Sequence, residues 1–406
     1  MKKSILGLLF GVFTASGLLG GCTISQAEDV MKEPSLDVDL GARWLDEVEH
    51  GELVSGIFDL GEGYSAAVTA DGQLVIEVLD ERNQKVNSIE LAGSTLVKVT
   101  TYDTTGDGTD EVIIQYFHDT GRSLIEVYDI ATGGDVIYTA EGKAFIVANL
   151  AGGDQLYIMG EEEVDAIRES YLYELNLSTF EEQQKINLGF LYGTEMESGK
   201  LMDGRSAVFF TAGVGAHSAV SDAVVKSVDG QLEALFYRQE GEYDQPYTAY
   251  YASIRDTDGD GVFEFPFMDP SPFQTDSSMA GTVWLTWYAN WIEPDFVDVA
   301  VYHETYYGKL KMKPEWVQNY AITRSGYEDE QIYYTYTDTV SANELVTIYY
   351  VDDVELQALK TEIEGIEVLD KSDYLNAVAS WSTTITEMEK NAFKEAFAIN
   401  KEAMKR

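Results

Sequence analysis

The sequence predicts a mainly β fold: a β-propeller of about five blades, six if the N-terminal segment completes another, followed by a small α+β domain. Three observations predict it. A unit of about fifty residues recurs along the chain. Its copies take the form apolar strand, Gly/Asp loop, apolar strand. Beyond residue 305 this pattern gives way to strand runs followed by helical periodicity. The expected layout is a signal peptide at 1–21, a tether at 22–38, the propeller at 39–304 and the α+β domain at 305–406.

The N-terminus comes first. Met1-Lys2-Lys3 forms a positive n-region, and the apolar run "SILGLLFGVFTASGLLGG" (4–21) leads to Cys22. A short apolar run ending in small residues reads as a secretory signal. A permanent transmembrane helix is the alternative for a run of this length. "LGGC" (19–22) resembles the bacterial lipobox, in which a thiol carries the diacylglycerol, and Cys22 is the chain's single cysteine. The expectation is a lipid anchor at Cys22 holding the mature protein at the extracytoplasmic face of the bacterial cell membrane. The polar stretch 23–35 would span roughly 20 Å as a flexible chain, so the body stays near the bilayer.

The repeat is clearest in "LVIEVLD" (74–80), "SLIEVYD" (123–129), "SYLYELN" (170–176) and "DAVVKSV" (222–228). In phase with them run 56–69, 98–116, 145–159, 197–210 and 252–265, each a pair of apolar runs around a Gly/Asp turn. Four strands per unit, as in 95–141, suit a propeller blade; a β-sandwich with coincidental spacing is the competing architecture. Five units fit between about 52 and 304, with "VWLTWYA" and "VDVAVYH" as outer strands of the fifth. Further on, "YYGKLKM", "QIYYTYT" and "LVTIYYV" read as strands, and 354–363 as a helix. A final helix starts at the capping box "TEME" (386–389) and is expected to run past Phe393 and Phe397 to Ala403.

Charge excludes some partners. Against 71 acidic residues stand 27 basic ones, a formal net charge of −44, which repels nucleic-acid phosphates and suits cations. High-salt life would produce the same balance. The four histidines, His50, His118, His217 and His303, show no metal-ligand spacing, which argues against zinc. No nucleophile elbow or phosphate loop is present. "TAGVGAHSAVSD" (211–222) places His217, Ser218 and Asp222 in what reads as a long mobile loop, not a catalytic triad. In "WLTWYANW" (284–291), Trp284 and Tyr288 face one way and Trp287 the other; core packing is expected, with a carbohydrate-stacking surface as the alternative for this run.

The stretch that carries chemistry is "RDTDGDGVFEF" (255–265). Oxygen ligands fall on alternate residues: Asp256, Asp258, Asp260, the Val262 carbonyl and Glu264, with Gly261 turning the backbone. Six to eight hard oxygens suit Ca²⁺. A helical EF-hand needs a carboxylate at the twelfth position, where Phe267 stands, so that motif is excluded. A looser copy offers Asp103, Thr105, Asp107, the Thr109 carbonyl and Glu111, with a hydroxyl in place of one carboxylate. The bland reading is that Asp and Gly simply make tight turns.

The lipobox, the degenerate repeats, "IRDTDGDGVFEFP", the Trp-rich strand and "YYGKLKMKPEW" together resemble FG-GAP/VCBS-type (integrin-α-like) propeller repeat lipoproteins of Gram-positive-type bacteria. The C-terminal part resembles PsbP-like α/β domains. The resemblance implies Ca²⁺ in the loop between the first two strands of a blade; glutamate at the ninth position departs from the family's usual aspartate. What it implies about activity is slight. The expected function is a surface-tethered, Ca²⁺-stabilised binding or scaffold module for a protein or glycan, with no catalytic residues named. The alternative is a polysaccharide hydrolase or lyase on the same scaffold, its carboxylates unidentified.

Overall fold

Short apolar runs separated by Gly/Asp turns leave both faces of each hairpin in need of cover, so they satisfy their backbones laterally and their side chains by stacking. The computed structural model describes residues 52–400, apart from 71, 165–166, 216–217, 238–245, 250–251, 274–281, 327–331 and 373. The signal-peptide, Cys22 and tether expectations, with His50 and His217, lie outside the described residues.

The described chain is mainly β, in six antiparallel sheets of four or five strands, an arrangement consistent with a propeller-like fold. The first sheet sets Glu52–Gly61, Tyr64–Ala70, Leu74–Leu79 and Lys85–Glu90 side by side in chain order. The second repeats this with Gly93–Tyr102, Glu111–His118, Ser123–Asp129 and Asp135–Glu141. The third uses Ala144–Ala148, Gln155–Val164, Ile167–Asn176 and Glu182–Asn187. The fourth uses Tyr192–Lys200, Ser206–Gly215, Ser218–Lys226 and Leu232–Ala234, with Tyr247–Thr248 added beside its third strand. All four quoted repeat runs fall on third strands.

Period-two alternation explains how the sheets stack. On Glu111–His118, Val112, Ile114 and Tyr116 turn into one core with Phe58, Leu60 and Ile76 of the first sheet. Ile113 turns the other way, into a core with Phe145, Leu156 and Ile158 of the third. Further cores join the third sheet to the fourth through Tyr157, Met159, Val208 and Phe210, and the fourth to the fifth through Phe209, Val225 and Phe265. A fifth core joins the fifth sheet to the sixth, with Leu285, Leu310, Ile322, Tyr336 and Ile348. Fourth strands such as Lys85–Glu90 and Asp135–Glu141 are largely exposed, as edges are.

The fifth sheet departs from expectation. Its order is Phe265–Pro270, Trp284–Ile292, Asp295–Glu304, Gly308–Met312 and Phe397–Ile399. The two runs read as its outer strands are therefore interior, because Val301 pairs with Met312 and Leu310 with Phe397. The boundary expected at 304/305 thus falls inside a sheet, which draws strands from both sides of it. The sixth sheet comes from the C-terminal region: Tyr320–Ser325, Tyr333–Asp338, Asn343–Val351, Asn376–Trp381 and Glu367–Lys371, in that spatial order.

Three helices accompany it. α1 (Pro314–Asn319) starts on proline, whose missing N–H is no loss at a first turn. α2 (Asp353–Glu362) buries Leu356 and Leu359 against Val351 and Val378 of the sixth sheet. α3 (Glu387–Ala396) has the predicted capping box: the Glu389 amide donates to Thr386 Oγ1 at 3.3 Å, and the Thr386 amide to Glu389 Oε2 at 2.8 Å. It ends earlier than predicted, because Phe397 and Ile399 are buried as strand residues beside Gly308–Met312. Thr386→Ala should cost about 1 kcal/mol, checked by a chemical-denaturation midpoint against Thr383→Ala, an exposed threonine outside the box.

Candidate metal centre

The "RDTDGDGVFEF" loop leaves one end of the fifth sheet. It opens and closes on a two-residue bridge: the Arg255 amide donates to the Glu264 carbonyl and the Glu264 amide to the Arg255 carbonyl, at 3.3 and 2.9 Å. Between them the chain makes a tight turn that Asp256 organises. Its Oδ1 accepts the amides of Gly259 (2.6 Å) and Asp260 (3.2 Å), and its Oδ2 that of Gly261 (2.8 Å). Gly259 and Gly261 both have left-handed backbones, φ 82° and 85°, which glycine adopts at no steric cost. Asp260 Oδ1 accepts the Val262 amide at 2.7 Å, closing the second half of the turn.

The result brings Asp256, Asp258, Asp260 and Glu264 together, with one oxygen of each within 4.8 Å of the others. It is the one such acidic group among the described residues. Asp258 and Asp260 are exposed, whereas Glu264 is fully buried. Glu264 Oε2 accepts the Thr257 amide at 2.7 Å, but Oε1 is buried with no hydrogen-bond partner. Burial pushes the Glu264 carboxyl above its ordinary range; the Thr257 amide and hydroxyl act against the rise, and the charges of Asp258 and Asp256 add to it. For Asp256, burial also acts upward, but the loop amides outweigh it and hold that carboxyl low. A buried carboxylate oxygen left unpaired beside three aspartates is costly alone and relieved by a divalent cation. The donor set, all oxygen, fits a hard cation such as Ca²⁺ and gives thiophilic metals no purchase. A carboxylate oxygen has two lone pairs, so Asp256 can accept amides and still ligate.

Sequence reading missed what holds this loop in place. The Phe263 amide donates to the Lys200 carbonyl at 3.0 Å, and its ring stacks on Phe209 at 5.0 Å. A Cβ on Gly199 would sit 2.3 Å from the Phe263 ring, so glycine is required there. The loop thus leans on the fourth sheet. Arg255 lies over the Tyr288 ring at 4.2 Å and the Tyr302 ring at 5.2 Å, and ion-pairs with Glu304. These contacts join residues far apart in the chain, and no local pattern announces them.

The 103–111 loop has the same backbone plan. Asp103 accepts the amides of Gly106 (2.6 Å) and Gly108 (3.1 Å), Asp107 accepts that of Thr109 (2.8 Å), and the Asp110 amide donates to Leu60 of the preceding sheet. Its glutamate differs. Glu111 Oε2 accepts both the amide and hydroxyl of Thr104 at 2.6 Å, and the Thr105 hydroxyl lies 3.4 Å from Oε1. Threonines therefore supply what is missing at Glu264, and Asp103, Asp107 and Glu111 are not drawn into one acidic group.

The other residues singled out by sequence have structural places. Trp287 packs beside the core shared with the sixth sheet, while Tyr288 is buried against Ala300 and Tyr302, as the alternation predicts. His303 is buried, its Nδ1 2.6 Å from Tyr336 Oη, and burial lowers its pKa to about 3, so it stays neutral. The stretch 211–222 is not a long loop: Ser206–Gly215 and Ser218–Lys226 form an antiparallel hairpin, because β-compatible residues pair in register from Val208–Val224 to Gly213–Ala219, with a shift before Gly215–Ser218. Asp222 lies within that hairpin and is fully buried; its oxygens accept the amides of Ala223, Leu235, Phe236 and Tyr237 at 2.7–3.3 Å.

Comparison with known proteins adds little to this geometry. No family model matches the chain, and no curated protein does. Among solved structures the chain is similar to one described as "AfRom2 CNH domain", at 9% identity over 83% of this chain and 98% of that one. The TM-score of that match is 0.29, too low to carry an argument.

Proposed function

We propose that this chain is a cation-stabilised β-propeller, lipid-anchored through Cys22 on the outer face of a bacterial membrane, and that it works as a binding or scaffold module for a protein or glycan, without catalysis. The observation that carries the reading is the Glu264 carboxylate: buried, half unpaired, and grouped with three aspartates in the loop that leads into Phe265–Pro270. Ca²⁺ there ties the fourth and fifth sheets together through the loop and leaves other surfaces to meet a ligand. Six sheets joined in series by five apolar cores support the propeller form. The 103–111 loop, with its glutamate already satisfied, is a weaker Ca²⁺ site on this reading.

An extracellular site with a dissociation constant near 10⁻⁴ M in millimolar Ca²⁺ stabilises by about 1.5 kcal/mol. Chelated protein should therefore melt roughly 3 °C higher when Ca²⁺ is restored, and elemental analysis should find bound calcium. No shift and no metal together would sink the proposal. The anchor is tested separately: wild type should take up radiolabelled fatty acid and fractionate with membranes, whereas Cys22→Ser should do neither.

A further inference from the structure

We infer that the cleft bounded by the outer strands of the third and fourth sheets and by Trp291 is a saccharide-binding site, selective for neutral or amino sugars. The inference rests on the binding-module reading and names its ligand class. The cleft has a volume of about 570 Å³, within the range of small-ligand sites. Its walls bring together Tyr237 and Trp291, the carboxylates of Glu233 and Glu293, and Arg205.

Each part suits a pyranose. Flat aromatic rings meet the apolar C–H faces of a sugar, and planar charged groups exchange hydrogen bonds with its hydroxyls. The rings are fixed in advance. Trp291 is held edge-on by Phe236 at 5.1 Å and tilted against Phe296 at 4.8 Å. Tyr237 lies on Gly189, where any Cβ would come within 2.8 Å of its ring. Rigid platforms lose little entropy on binding.

The polar groups are available. Among the described residues neither Glu233 nor Glu293 has an ion pair or side-chain hydrogen bond, and both are exposed. Arg205 is oriented by Asp203 through Nε at 2.7 Å, its one ion pair among the described residues, which leaves its terminal amino groups to donate. Donors and acceptors are thus mixed, as a polyhydroxylated ligand requires; a cage for a basic peptide would have no use for Arg205. Two acceptor carboxylates on a chain of net charge −44 reject uronic and phosphorylated sugars.

The test is tryptophan fluorescence and saturation-transfer NMR on the full ectodomain, titrated with cellohexaose, chitohexaose, glucosamine hexamer, hexagalacturonate and hexalysine. At least one of the first three should bind saturably below about 1 mM, while hexagalacturonate does not. Trp291→Ala should weaken binding by at least about tenfold. Because that change also touches the core, the surface variant Glu233→Gln is the companion and should weaken binding several-fold with melting unchanged. Saturable binding of hexalysine alone, no binding by any saccharide, or binding untouched by both variants would overturn the inference. The calcium-dependent melting shift would survive each of these failures, so the two readings fall separately.

Discussion

Replacing Asp222 by alanine is expected to destabilise the fold by about 3 kcal/mol, the largest single loss foreseen for this chain. The reason lies in how many groups depend on one side chain. Asp222 is fully buried on the third strand of the fourth sheet and gathers the amides that follow Leu232–Ala234, fixing where the chain turns. Alanine would leave the buried Phe236 amide without this acceptor and open a void on the strand face that Asp222 shares with Val220 and Val224. Asp222→Asn keeps the shape and one carbonyl oxygen but turns an N–H₂ toward donors, so it should lose about half as much.

Acidity provides a second readout at this residue. Burial pushes the Asp222 carboxyl up to about 7 from an ordinary 3.8, although the amides of Ala223, Tyr237, Phe236 and Leu235 pull the other way. With a folded pKa above the unfolded one, the folded state binds the extra proton between those values. Its stabilising contribution is complete below the unfolded pKa and is lost progressively as pH rises toward 7. Denaturation midpoints of the wild type should therefore fall between pH 5 and 7.5 relative to Asp222→Asn. Parallel curves would refute the raised pKa.

The second large effect is at the metal loop. Asp256→Ala removes a candidate ligand and the acceptor of three loop amides together, so it should abolish the proposed Ca²⁺-dependent rise in melting temperature and lower stability in chelator as well. Glu264→Gln should divide these consequences. The amide can still accept from Thr257, and no buried charge is left unpaired, so the chelated variant should be as stable as chelated wild type or more so. Its response to Ca²⁺ should vanish. If Glu264→Gln kept the full Ca²⁺ shift, Glu264 would not be a ligand.

The structure bears on how far residues alone could be read. Third strands such as Leu74–Leu79 and Ser123–Asp129 were legible because strands buried on both faces must be apolar almost throughout. The four acidic residues of the metal loop were legible because alternate spacing and glycine turns are local properties of the backbone. The Phe397–Ile399 strand was not legible: Phe393 and Phe397 are four apart and continue a helical rhythm, and only pairing with Gly308–Met312 decides otherwise. The place of Asp222 was not legible either, because its partners come from the segment that returns thirteen residues later and beyond. The difference between Glu264 and Glu111 was legible only in part: Thr105 stands where the other loop has Asp258 and can donate to Glu111, but Thr257 and Thr104 occupy the same place in both loops and differ only in their hydroxyl contacts.

The late strand has a consequence for synthesis. The first four sheets are built from consecutive segments and can form as the chain emerges. The fifth must wait: Met312 is made 85 residues before Phe397 (397 − 312), and the whole sixth sheet is translated in the interval. Until then the Gly308–Met312 edge faces solvent with its ladder incomplete, at the side of the sheet away from Phe265–Pro270. A nascent chain halted before residue 397 would therefore present an open β edge on its fifth sheet, where a chaperone or a second nascent chain would meet it.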